Sequence, residues 1–159
     1  MSKVHPDYYK NKDLQLKDVW EAKFSQAEYE GMCKIHISKY LYRAEYKNGL
    51  EDYQKALYYL DELIKYESKI HPELVEAENV NVKHPSHYEQ GGLQILDVWK
   101  NKAFYTEEEF RGFCKANVSK YVVRAGKKDP EKVLEDLNKA RVYLTWIIEA
   151  KKEEVKEKN

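Results

Sequence analysis

Apolar positions recur along the chain with the 3.6-residue spacing of helices that bury one side. From Thr106 onward, Phe110, Phe113, Cys114, Val118, Tyr121 and Val122 form one stripe, with polar residues between them. Val133, Leu134, Leu137, Ala140, Tyr143, Leu144, Ile147 and Ile148 form a second, longer stripe. A shorter amphipathic stretch over residues 92–102 carries Leu93, Ile95, Leu96, Val98 and Trp99. The punctuation agrees with these periods. Thr106 and Glu109 read as a capping box, in which the two side chains satisfy amides left orphaned at a helix start. Gly126 suits a left-handed stop, and Asp129-Pro130 reads as an N-cap followed by proline at the first helical position. Three helices are therefore predicted within residues 84–150.

The same plan occurs earlier in the chain, because the sequence repeats itself. His5-Pro6 and Tyr9 return as His84-Pro85 and Tyr88, and Asp18-Val19-Trp20 returns as Asp97-Val98-Trp99. Gly31, Cys33-Lys34, Ser38-Lys39-Tyr40 and Arg43-Ala44 match Gly112, Cys114-Lys115, Ser119-Lys120-Tyr121 and Arg124-Ala125. Leu50-Glu51-Asp52, Lys55-Ala56 and Tyr59-Leu60 match Leu134-Glu135-Asp136, Lys139-Ala140 and Tyr143-Leu144. Ser25 and Glu28 supply the first capping box, and Asn48-Gly49 the first interhelical turn. The expected fold is all-α, with two tandem three-helix units packed as a pseudo-twofold pair. Residues 1–72 form a degenerate first repeat, 73–83 a linker, 84–150 the second repeat and 151–159 a charged, solvated tail. A unit of about 75 residues is marginal for a lone core, and exposed apolar stripes on such units allow a homo-oligomer.

Composition narrows the function classes. The 159 residues carry 28 Lys+Arg against 28 Asp+Glu, so the net charge is zero. A protein that coats long nucleic acid carries a basic excess that neutralises phosphates, and this chain has none. Only 6 Gly and 4 Pro argue against a fold made of many strands and turns. No apolar run reaches membrane length, and no apolar signal segment opens the chain, so a reducing cytoplasm is the expected compartment. Cys33 and Cys114 lie on apolar stripes and read as small buried hydrophobes; Trp20 and Trp99 read as core.

Polar residues that recur at the same helical phase are the candidates for chemistry. Asn117, Lys120 and Arg124 share one face of the middle helix, and Lys127 and Lys128 extend it into the following loop. Asp136, Lys139 and Tyr143 share a face of the last helix. Lys39, Arg43, Asp52, Lys55 and Tyr59 reproduce both groups in the first repeat. Arg offers bidentate recognition of phosphate and Lys a mobile point charge, while aromatic rings stack bases. A small phosphorylated, aromatic ligand fits this set. The competing reading is structural: Arg124 and Lys120 pair with Asp136 or Glu135 and stitch neighbouring helices. His84 and His87 suit helix capping or phosphate contact rather than metal, since neither HExxH nor a zinc-spaced Cys pair accompanies them. No phosphate loop or GxGxxG stretch is present.

The second repeat resembles a small bacteriophage family usually called a domain of unknown function. The resemblance rests on His84-Pro85-Ser86-His87-Tyr88 with Gly91-Gly92, on Lys120-Tyr121-Val122-Val123-Arg124-Ala125-Gly126-Lys127-Lys128, and on Glu135-Asp136-Leu137 with Lys139-Ala140 and Tyr143-Leu144. That family includes phage nucleotide kinases, so the resemblance implies phosphoryl transfer to a nucleoside monophosphate, with ATP and Mg²⁺ as partners. In that reading Lys120, Arg124 and Lys127 neutralise phosphates, His87 orients or shuttles a proton, and Asp136 holds Mg²⁺ or an arginine. His84, Tyr88, Asn117, Lys139 and Tyr143, with Lys39 and Arg43, complete the candidate set. The alternative is a protein that sequesters a nucleotide immune signal of the infected bacterial host without turning it over. The first repeat departs from the pattern at Tyr8, Lys12-Asp13 and Glu45, which implies one complete site, or one composite site at the interface of the repeats, rather than two equivalent sites.

Overall fold

Helix starts follow the capping chemistry written in the sequence. In a computed structural model, which describes residues 4, 10–11, 14–75, 89–90 and 93–159, the helices are α1 (Leu16–Lys23), α2 (Gln26–Arg43), α3 (Leu50–Ile70), α4 (Ile95–Lys100), α5 (Glu107–Arg124) and α6 (Val133–Glu157). The fold is all-α. At the start of α2 the Ser25 hydroxyl accepts the Glu28 amide at 3.1 Å, while the Glu28 carboxylate accepts the Ser25 amide at 2.7 Å. Thr106 and Glu109 repeat both bonds at the same lengths ahead of α5. Each middle helix is followed by a glycine with positive φ, 51° at Gly49 and 76° at Gly126. Only glycine adopts that backbone without cost. Asp129 accepts the Glu131 amide at 3.1 Å and opens a 3₁₀ turn, Pro130–Lys132, that leads into α6.

Two compact units result, one comprising Met1–Tyr66 with Ile148–Asn159 and the other Glu67–Ile147. In the first, Tyr29, Cys33, Ile37 and Leu41 of α2 are buried, as are Tyr53, Ala56, Leu60 and Leu63 of α3. In the second, Phe110, Cys114, Val118 and Val122 of α5 are buried, with Leu137, Ala140, Leu144 and Ile147 of α6. The middle helix thus buries every fourth residue and the last helix alternates steps of three and four, identically in both units. Both spacings line one helical face. That shared geometry places the repeated polar residues at equivalent points.

Several expectations are refined. The stretch over 92–102 is not one helix. Leu93–Gln94 forms a strand paired antiparallel with Glu89–Gln90, and only Ile95–Lys100 is helical. The first repeat has the same pairing, Lys10–Asn11 with Leu14–Gln15. The helix ends early because the Asn101 side chain accepts the Ala103 amide at 2.9 Å and its carbonyl accepts the Phe104 amide at 2.9 Å, closing a turn. Trp20 and Trp99 are half-buried rather than core, and Phe113 is 40% exposed despite lying on the apolar stripe. The end of α6 is largely exposed, but Lys151 turns inward to Glu45 at 3.3 Å and Glu154 at 3.0 Å. Cys33 and Cys114 are fully buried, as expected.

Candidate functional site: cations gathered on a tyrosine ring

In the second unit, the last turns of α5 meet the first turns of α6. Three cations converge on the Tyr121 ring: Lys120 Nζ at 4.7 Å, Arg124 Cζ at 4.6 Å and Lys139 Nζ at 5.7 Å from its centroid. The electron-rich ring face attracts such groups. Tyr143 lies nearly parallel to Tyr121, at 6.0 Å and 14°. Around Tyr143 stand Phe113, edge-on at 5.7 Å, and Trp146, edge-on at 5.1 Å. Trp99 touches both, at 4.8 Å from Phe113 and 6.2 Å from Trp146.

Helical phase brings each cation to a different partner. Arg124 donates through Nε and Nη2 to the Asp136 carboxylate at 3.0 and 2.6 Å, and that carboxylate is almost wholly buried. Lys139 pairs with Glu135 one turn back. Lys120 donates to the neutral Asn117 carbonyl at 3.0 Å, while the Asn117 amide donates to the Phe113 backbone carbonyl at 2.9 Å. Three cations thus face two carboxylates, and one positive charge is left over.

The first unit rebuilds the same cluster. Lys39, Arg43 and Lys55 lie 5.1, 4.8 and 5.7 Å from the Tyr40 ring, and Tyr59 lies parallel to Tyr40 at 5.9 Å. Arg43 donates to both oxygens of buried Asp52 at 2.8 and 3.1 Å, and Lys55 pairs with Glu51 at 2.6 Å. The surroundings differ. His36 stands where the second unit has Asn117, and its imidazole stacks on Tyr59 at 4.4 Å and 11°. Glu62 stands where the second unit has Trp146, and it takes Lys17 at 3.1 Å.

The electrostatics follow from these partners. Burial pushes the Asp52 carboxyl up, but the bonds and charge of Arg43, helped by Asn48 and Lys55, outweigh it and hold it below the usual carboxylate range. Hydrogen bonding to Asp52 and Asp136 raises Arg43 and Arg124 respectively. Burial, then the Lys39 charge, lowers His36 and disfavours its protonated form. Its buried Nδ1 has no hydrogen-bond partner among the described residues.

Of the residues singled out from sequence, Asn117, Lys120, Arg124, Asp136, Lys139 and Tyr143 assemble in one place, and Lys39 and Arg43 assemble in the other. Lys127 is exposed in the turn after α5, where its amide bonds the Arg124 carbonyl at 2.8 Å. His84, His87 and Tyr88 lie outside the described residues. Sequence alone does not single out the rings at the centre, because Tyr121 falls on the apolar stripe and Tyr40 is its counterpart in the first repeat. The signal was the repeated Ser-Lys-Tyr, which sets a tyrosine beside a cation in both copies. Nor does sequence alone single out His36. Among the described residues no group of three or more His, Cys, Asp or Glu is placed to hold a metal ion, and no helix is long and apolar enough to cross a membrane.

Comparison with known proteins agrees with the internal repeat. A family of proteins of unknown function, DUF3310, matches twice, over residues 3–61 and 82–145. The Gene 1.7 protein of Enterobacteria phage T3 is 39% identical over 75 residues, covering 43% of this chain and 45% of that protein. The chain therefore spans less than half the length of this relative. No solved structure matches. With both repeats matched, and the two clusters built on matched residues, the chain belongs to the DUF3310 family.

Proposed function

We propose that this phage-related protein binds a small phosphorylated nucleotide on the Tyr121 cluster. The observation that carries the reading is the convergence of Lys120, Arg124 and Lys139 on one ring, with a single positive charge left without a carboxylate. A phosphate seated there would take charge-assisted bonds from two lysines and a guanidinium already aimed by Asp136. The half-exposed rings of Phe113, Tyr143, Trp99 and Trp146 lie beside it and offer faces to a base. Asp136 acts in this proposal by positioning Arg124, since its Oδ1 takes both guanidinium bonds.

The first reading of activity is kinase-like: transfer of a phosphoryl group from ATP, with Mg²⁺, to a nucleoside monophosphate, inside the infected bacterial cell. It rests on the family resemblance. Such transfer needs mainly positioning and charge neutralisation, which Lys120, Arg124 and Lys139 would supply, with His87 orienting the acceptor. A second reading, retention of a nucleotide signal without turnover, is favoured by the closed ion pairs, because Glu135 and Asp136 are both engaged by cations. Incubation with ATP, Mg²⁺ and a panel of mono- and cyclic nucleotides separates the two. Diphosphate formation that disappears in Lys120→Gln/Lys139→Gln supports transfer. Tight binding with intact nucleotide recovered on denaturation supports retention. If no member of the panel binds or reacts, neither reading survives.

A further inference from the structure

The first repeat departs from the family pattern in its opening motif and at Glu45, whose carboxylate is engaged by Tyr53 and Lys151, yet its cation cluster is complete. Lys39, Arg43 and Lys55 surround Tyr40 at distances within 0.4 Å of their counterparts around Tyr121. The charge balance is also the same, three cations against Asp52 and Glu51. Lys39 has no carboxylate partner among the described residues. What changes is the layer beside the cluster. His36 already covers a face of Tyr59, stacked at 4.4 Å, and the position of Trp146 is taken by Glu62 bonded to Lys17. An aromatic ring of the protein itself therefore occupies a stacking place, and an ion pair replaces an aromatic wall.

We propose that the first repeat carries a second anion site, centred on Tyr40, that takes a phosphate group but does not stack a nucleobase. Each chain then holds two phosphates in unlike settings: one beside an aromatic cluster, the other beside an imidazole. The ligand class is a phosphate monoester or pyrophosphate end, either free or carried by a nucleotide. The inference rests on the reading of the Tyr121 cluster as a phosphate site.

Calorimetric titration of the full chain with pyrophosphate tests it. Two equivalents per chain are expected. Lys39→Gln/Lys55→Gln should remove one of them, weakening it at least tenfold, and Lys120→Gln/Lys139→Gln should remove the other. These pairs leave the buried Arg–Asp contacts in place, so the fold is kept, which circular dichroism checks. Nucleoside monophosphate is the second arm. In His36→Asn, which gives the first repeat the residue of the second, nucleotide affinity at the Tyr40 site should rise while pyrophosphate affinity there stays within about twofold. A single pyrophosphate equivalent, lost in the Lys120/Lys139 variant and untouched in the Lys39/Lys55 variant, would overturn this inference and leave the proposed function standing. Absence of pyrophosphate and nucleotide binding at both clusters would overturn the two together.

Discussion

Arg124 and Asp136 form a lopsided pair: the carboxylate is buried, while about a third of the Arg124 side chain remains in solvent. Removing the arginine strands a charge that water cannot reach; removing the carboxylate leaves a guanidinium that can still turn outward. Breaking a buried pair from one side costs about 3–5 kcal/mol, and here that cost should fall on the arginine side. Arg124→Met should therefore lower the denaturant midpoint well beyond Asp136→Asn, and Arg43→Met beyond Asp52→Asn. The Arg43–Asp52 pair also sets a pH dependence. Because the folded Asp52 value is depressed, its stabilisation is present above the unfolded value of about 3.9 and is lost as pH falls through the lower folded value. His36 acts at milder pH. Its folded value lies below the unfolded value of about 6.5, so the unfolded chain binds the extra proton and stability should decline as pH drops below that point. His36→Asn should flatten the slope between about pH 5 and 7 in chemical denaturation.

At the scale of elements, helix boundaries carry most of what a sequence can announce. Both capping boxes and both positive-φ glycines were legible from residue type and spacing alone, because their chemistry is local. The α4 boundary was not. Leu93 and Gln94 continue an apolar run, and only pairing with Glu89–Gln90 turns them into a strand. Phe113 was misread for a similar reason: periodicity places it near the buried face but does not say where a neighbouring helix ends. The site was half legible. Its cations were found by comparing repeats, whereas the tyrosine beneath them looked like core until the helices were packed. Local chemistry also sets the size of two expected effects. Thr106→Ala removes one of the reciprocal cap bonds and should cost about 1 kcal/mol. Gly126→Ala meets Val133 at an ordinary 3.5 Å, so its penalty of about 1–2 kcal/mol should come from the positive φ rather than from crowding. Thermal unfolding of the two variants checks both.

At the scale of the whole molecule, a net charge of zero conceals segregation. Each cluster carries one excess positive charge, and acidic residues elsewhere restore the balance. Binding of a phosphate ligand should therefore weaken with salt far less steeply than binding to long nucleic acid, where many counterions are released. A titration of pyrophosphate between 50 and 200 mM salt should show an affinity change of about tenfold or less. The last helix serves both units: residues up to Ile147 belong to one, and those from Ile148 to the other. Lys151 joins Glu45 within the first unit, and its side chain passes 3.9 Å from the site of a Cβ on Gly49. Truncation after Ala150 should loosen the turn at residues 44–49, visible as faster amide exchange there than in α5.

The two cysteines offer a way to watch the halves separately. One sits in each repeat, fully buried on the middle helix, six residues before the first cation of its cluster. Burial pushes the Cys114 thiol up to about 12, the nearby Lys100 notwithstanding, so a thiol reagent can act only while the surrounding helices part. The chain is thus born with a chemical stopwatch in each half, timing local opening without any added label. If both clusters capture phosphate, pyrophosphate should slow both clocks, and each lysine-pair variant should release only the clock of its own repeat.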